Sequence, residues 1–153
     1  MTEEKTYGPF EVNQRIKVNS TYYAGRMGSL FYTTLRDQKK IIGVKCAKCN
    51  KVFWPPRTTC GLCFSQLGDD SVVEIGPQGT LQTFARVNYC EPVHPREAPF
   101  VYGVIKLDGA DTGITHFIEP GGKELKVGMR LEPVFAEERK CNILDILHFK
   151  PVE

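Results

Sequence analysis

Four cysteines carry the chemistry most plainly written in the chain. They stand as Cys46-Ala-Lys-Cys49 and, after ten intervening residues, Cys60-Gly-Leu-Cys63. A Cys-x-x-Cys turn lets two thiolates converge on one ion, and two such turns complete the tetrahedron that structural zinc prefers. The intervening residues hold Pro55-Pro56 near their middle and suit two short strands that double back to bring the turns together. The pattern predicts a rubredoxin-like zinc ribbon with Cys46, Cys49, Cys60 and Cys63 as ligands. A pair of disulfides or four ordinary buried thiols would be the plain structural alternative. Iron competes with zinc for the same sulfur cage, and the sequence does not separate them. Four thiolate ligands leave no position for water or substrate, so such a metal holds the fold together and does no chemistry.

The thiols and imidazoles outside this motif are Cys90, Cys141, His94, His116 and His148. Cys90 and His94 share one proline-rich stretch, so a thiol–imidazole nucleophile is conceivable. Closeness in sequence does not give its geometry. Cys141 follows Glu137-Glu138-Arg139-Lys140 in an expected turn, and His116 and His148 lie in strand-like runs as structural histidines. No phosphate-binding loop, dinucleotide fingerprint or serine elbow is present. No catalytic residue is assigned.

The elements that must hold the four cysteines follow from patterning. Residues 1 to about 19 are polar and irregular and read as an arm. From Ser20 the pattern is helical, with Tyr23, Met27, Leu30, Phe31 and Thr34 at spacings of three and four and Ser20 or Asn19 as cap. Gly25 and Gly28 loosen this helix, and Tyr22 and Tyr32 place aromatic surface off its main stripe. It would pack either on its own ribbon or on a partner. The ribbon spans about Ile41 to Leu67, with Val52-Phe53-Trp54 as apolar bulk; Trp54 reads as ribbon core rather than a base-stacking platform. Beyond Ser71 come short β-rich runs broken by Gly, Pro and Asp. Val72–Ile75 and Thr80–Val87 read as one long strand bent at Gly76-Pro77-Gln78-Gly79. Phe100–Leu107, Gly113–Ile118, Arg130–Ala136 and Ile143–Phe149 complete a five-stranded barrel of the OB type, with a sandwich as the alternative. The expected divisions are an arm and helix over 1–40, a ribbon over 41–68 and a barrel over 69–153. The fold class is thus mainly β with an N-terminal helix.

The formal charge of +2 conceals an asymmetry. Arg36, Lys39, Lys40, Lys45, Lys48, Lys51 and Arg57 face only Asp37 between Arg36 and Cys63, giving that segment +6 and the rest of the chain −4. Four thiolates around a divalent ion return two negative charges, so the segment is nearer +4 by this count. The excess suits phosphates, of nucleic acid or of a nucleotide-bearing cofactor. No apolar run approaches a membrane span, the start Met1-Thr-Glu-Glu-Lys lacks the regions of a signal peptide, and reduced thiols suit a reducing compartment. A cytoplasmic setting is expected.

A helix, then Gly43-Val-Lys-Cys46-x-x-Cys49, Pro55-Pro56-Arg57 and Cys60-x-x-Cys63, then an OB-like barrel, resembles the zinc-ribbon/OB-fold proteins associated with acyl-CoA metabolism. These were long catalogued as a domain of unknown function. Gly79-Thr80 and Val127-Gly128-Met129-Arg130-Leu131 support the resemblance, which runs from about Tyr22 to Phe149. It implies a non-catalytic small subunit that stabilises a thiolase-fold enzyme, or an aldolase derived from one, and helps form its coenzyme A or acyl site. Tyr23, Phe31, Tyr32 and the Asn88–Pro99 loop are the expected partner contacts. Charge, rather than any motif of the family, singles out Arg57, Lys48 and Lys51 for coenzyme A phosphates. The rival reading is nucleic-acid binding, with Phe53 and Trp54 stacking on bases. The acidic barrel counts against it.

Overall fold

The computed structural model describes residues 8–9, 11–12, 18, 20–91 and 94–152. Most of the expected arm, the capping role of Asn19, and Pro92 and Val93 of the long loop lie outside the described residues.

One helix, α1, runs from Gly25 to Gln38. Met27, Phe31 and Leu35, four residues apart, form its buried stripe. It starts later than the periodicity predicts, because Gly25 adopts φ 73° and breaks the helical path. Tyr22 and Tyr23 therefore precede the helix, each 82% exposed. At the other end Lys39 turns left-handed at φ 55° and donates its N–H to the Leu35 carbonyl at 3.2 Å. The Arg139 Nε donates to the Arg36 carbonyl at 2.5 Å, fastening this end to the far part of the chain.

Strands β1 (Ile41–Cys46), β2 (Lys51–Phe53) and β3 (Val72–Ile75) form an antiparallel sheet in the order β2-β1-β3. Gly43 is required at its centre, since a Cβ there would stand 2.8 Å from the Phe53 carbonyl oxygen. Here the structure departs from the sequence reading. Val72–Ile75 is not the first arm of a bent barrel strand but pairs with β1, Ile41 opposite Ile75 through Val44 opposite Val72. Its Ile75 enters the core that helix, ribbon and barrel share, with Val72 and Val73 packed against it, and residues 76–78 carry the chain across to the barrel.

That barrel closes in the order β4 (Gly79–Val87), β5 (Phe100–Leu107), β6 (Ile114–Ile118), β8 (Ile146–Pro151), β7 (Arg130–Phe135). Gly79 and Thr80 of β4 pair with Leu131 and Arg130 of β7 to shut it, and β6 meets β8 in parallel at Ile118 and Phe149. The result is the expected five-stranded OB-like barrel after a ribbon.

Ribbon and barrel share one core. Phe31 and Leu35 of α1, Ile41, Ile42 and Trp54 of the ribbon, and Leu81, Ile105, Leu107, Leu131, Ile146 and Phe149 of the barrel belong to a single buried cluster. Polar bonds reinforce the junction at the exposed edge of β2. The Asp111 carboxylate accepts from Lys51 Nζ and from the Val52 N–H, both at 2.9 Å. The Thr112 hydroxyl accepts from the Trp54 N–H at 2.7 Å and donates to its carbonyl at 2.8 Å.

His116, on strand β6, is a buried titratable group of the barrel wall. Its Nδ1 accepts from the Phe117 N–H at 2.8 Å, leaving Nε2–H to donate to the Ile143 carbonyl at 3.2 Å. Burial pushes its pKa below the ordinary 6.5. The unfolded chain then binds a proton that the folded chain refuses, so stability falls as pH drops below 6.5 and recovers as pH rises. Thermal melts from pH 7.5 to 5 should show that loss, and His116→Gln should flatten the slope. An unchanged slope in the variant would assign the acid sensitivity elsewhere.

Candidate metal centre

The two Cys-x-x-Cys turns sit where β1 ends and where the chain leaves β2. In the first, the Asn50 N–H donates to the Cys46 carbonyl at 2.7 Å, with Asn50 at φ 54°. In the second, the Phe64 N–H donates to the Cys60 carbonyl at 3.1 Å and the Cys60 N–H to the Ser65 carbonyl at 2.9 Å. Both turns place all four sulfurs within 4.8 Å of one another. Cys46 and Cys63 Sγ are 3.6 Å apart, and Cys60 and Cys49 Sγ 3.9 Å. A zinc–sulfur bond of about 2.3 Å sets a tetrahedron edge of about 3.8 Å, whereas a disulfide needs about 2.05 Å. The spacing fits a metal and excludes the disulfides.

The surroundings favour thiolates. The Cys49 N–H donates to Cys46 Sγ and the Leu62 N–H to Cys60 Sγ, each at 3.4 Å. Ser65 Oγ stands 2.7 Å from Cys63 Sγ, and this hydroxyl brings the Cys63 thiol down to about 6. The Cys49 N–H holds the Cys46 thiol down as well. Cys49 is pushed up to about 12, chiefly by its sulfur neighbour Cys63. Charge without a cation cannot accumulate on all four sulfurs, and a divalent ion supplies the missing compensation. Ser65 escaped the sequence reading; its only signal is a hydroxyl two residues past the last ligand. Cys46 and Cys60 are buried and Cys49 and Cys63 half-buried, so the cage would enclose an ion held by all four. The cage has the build of a structural metal site and fits zinc.

The other expected site residues are dispersed. Lys48 is exposed on the first turn. The Arg57 guanidinium lies 4.7 Å over the Phe53 ring. Lys51 is engaged by Asp111 at the ribbon–barrel junction, so it is not a free cation for phosphate. Tyr23 is exposed and Tyr32 half-buried, but Phe31 is 2% exposed and belongs to the shared core. The expectation that Phe31 anchors a partner is therefore corrected: its position on the apolar stripe turns it inward. Phe53 and Trp54 are buried too, which removes the stacking platform that nucleic-acid binding required.

Cys90 and His94 do not meet as a catalytic pair. The Cys90 thiol donates to the Arg96 carbonyl at 3.1 Å, while His94 Nδ1 accepts from the Glu91 N–H and its ring packs on Phe100. The same loop instead supplies Arg96, which the sequence reading missed. Its guanidinium lies 4.4 Å over the Phe117 ring and donates to the Leu147 carbonyl at 2.7 Å. Arg96, Arg86, Phe100, Ile118 and Glu119 line a cleft of about 500 Å³ at this end of the barrel.

Comparison with known proteins accords with this architecture. The ChsH2 rubredoxin-like zinc ribbon domain matches residues 34–68, and the ChsH2 C-terminal OB-fold domain matches residues 72–136. A DUF35 domain-containing scaffold protein of Methanocaldococcus jannaschii is 22% identical over 123 residues, 78% of this chain and 86% of that protein. A protein of the same description from Methanothermobacter thermautotrophicus is 22% identical over 100 residues, 65% of this chain and 74% of its own. Among solved structures, a DUF35-family protein of unknown function from Sulfolobus solfataricus superposes with a TM-score of 0.63 at 24% identity, covering 84% of this chain and 87% of that one. A chain of the Ltp2-ChsH2(DUF35) aldolase superposes with a TM-score of 0.59 at 20% identity, covering 90% of this chain and 98% of that one. At these identities the two structures share the fold. Ribbon, barrel and four-thiolate cage together place the chain in the DUF35 family of ChsH2-type zinc-ribbon/OB-fold proteins.

Proposed function

We propose that this chain is a non-catalytic, zinc-containing accessory subunit of a thiolase-type acyl-CoA enzyme. The complex would cleave or form the carbon–carbon bond of a β-ketoacyl-CoA, or perform a related aldol step. The observation that carries this reading is a family-typical ribbon and barrel whose metal cage is closed. Among the described residues no nucleophile, base and oxyanion donor come together, so the chemistry is assigned to a partner. The superposition on a chain of the Ltp2-ChsH2(DUF35) aldolase supports a partner enzyme, and the scaffold description of the archaeal relatives agrees with it.

In this reading Tyr23, Tyr32 and the Asn88–Pro99 loop meet the catalytic subunit, and the cleft beside Arg96 adjoins the acyl site. A tagged copy purified from its own cell should bring down a thiolase-fold subunit. Recovery of nucleic acid in a salt-sensitive complex, with no such enzyme, would transfer the assignment to the rival reading.

Lys48 and Arg57 remain the candidates for coenzyme A phosphates. In the assembled complex Arg57→Ala and Lys48→Ala should each raise KM for the thioester several-fold and leave the zinc content unchanged. The effect should shrink at high salt, since exposed charges are screened over about 10 Å at 0.1 M. A KM unaffected in both variants would remove these residues from the cofactor site.

A further inference from the structure

The second cysteine turn presents an apolar tip that stands exposed among the described residues. Leu62 is 63% exposed and Phe64 77% exposed, on either side of the ligand Cys63. Phe64 also occupies the left-handed region at φ 58°. A bulky residue rarely adopts that conformation, and Gly or Asn is the ordinary choice. The first turn follows the ordinary rule, with Asn50 at φ 54° just after Cys49. Phe64 thus carries a backbone penalty and exposes a large ring to water. Neither feature helps the isolated chain fold, and strain of this kind concentrates where a surface is used.

The tip is held rigidly. The Phe64 N–H bonds to the Cys60 carbonyl, the Leu62 N–H to Cys60 Sγ, and the Cys60 N–H to the Ser65 carbonyl. A clamped turn loses little freedom when it is buried against another surface. From Cys46 to Leu67 the chain has no acidic residue and three cations, Lys48, Lys51 and Arg57. The Arg57 guanidinium lies beside this turn, 3.3 Å from where a Cβ on Gly61 would stand.

We propose that Leu62 and Phe64 form a plug that inserts into an apolar socket on the catalytic subunit, with carboxylates around the socket meeting the basic ribbon. This rests on the partner reading above. It adds the ribbon turn to the contacts proposed above for Tyr23, Tyr32 and the long loop.

The test measures binding of the purified chain to the cognate thiolase-fold subunit. Wild type is compared with Phe64→Gly, Phe64→Asn and Leu62→Ser, with zinc content and thermal melting followed in parallel. Phe64→Gly and Phe64→Asn relieve the backbone strain, so both should melt no lower than wild type. Their affinity for the subunit should nevertheless fall about 30-fold, the scale of a lost interface anchor. Leu62→Ser should weaken binding in the same direction with full zinc content. Variants that bind as tightly as wild type would overturn the plug while leaving the accessory-subunit reading intact. A wild-type chain that binds no such subunit would overturn both. A self-association of the isolated chain that Phe64→Gly abolishes, with subunit binding unchanged, would assign the tip to a second copy and likewise overturn the proposal.

Discussion

Replacing Cys60 by serine is expected to strip the metal and unfold the ribbon. Structural zinc sites of this kind contribute on the order of 10 kcal/mol of apparent binding free energy at neutral pH, comparable with the whole stability of a small domain. The loss should spread beyond the ribbon, because Met27 of α1 packs in the same buried cluster as Cys46, Cys60 and Leu67. Cys141 lies outside the cage, so Cys141→Ser should keep one zinc per chain. Metal analysis of both variants, with circular dichroism, checks this. Equal metal loss from the two, or a folded and metal-free Cys60→Ser protein, would contradict a structural zinc centre. Acidification should release the ion as well, since the ligands bind it as thiolates.

Phe31→Asp is expected to leave little folded protein. Phe31 is packed with Leu35, Ile41 and Trp54 in the core shared by helix, ribbon and barrel. Removing the ring and burying a carboxyl there should cost more than about 4 kcal/mol. Tyr23→Asp, on an exposed side chain ahead of the helix, should change stability by no more than about 0.5 kcal/mol. Urea denaturation of the two variants gives the comparison. A stable Phe31→Asp protein with full zinc content would mean that this side chain faces outward after all.

The contrast between those tyrosine and phenylalanine positions shows what the sequence could reveal. The four ligands were legible because two Cys-x-x-Cys turns have one economical geometry, and the barrel strands because β-rich runs alternate with strong turn signals. Phe31 stood on the correct stripe, but periodicity marks an apolar face without saying whether the chain or a partner covers it. Tyr23 fitted the same stripe and still lies outside α1, because Gly25 at φ 73° sets a start that spacing alone does not mark. The strand at Val72–Ile75 was found, yet its partner was not: apolar texture identifies a strand but not the sheet it joins. Ser65, Arg96 and the Asp111–Thr112 clasp act across long sequence separations or through single polar atoms. Single polar atoms leave no periodic trace. Lys51 looked like a free cation because its counter-ion, Asp111, is sixty residues away in the chain.

The positive segment must likewise be divided by function. Lys40 pairs with Glu74 and Lys51 with Asp111, both acids from outside the segment, so part of its basic excess is neutralised within the fold. Such exposed pairs contribute little stability individually. Lys48 and Arg57 form none of the ion pairs found among the described residues, and they flank the metal turns rather than the barrel. Lys48 and Arg57 thus lie on the same module as the exposed Leu62 and Phe64.

The most direct test of the accessory-subunit account is turnover of a β-ketoacyl-CoA thioester by the cognate thiolase-fold subunit, measured with and without this chain. The account predicts that each chain alone shows little or no activity and that mixing or co-expressing them restores it. A thiolase-fold subunit that turns over at its full rate without this chain would contradict the account.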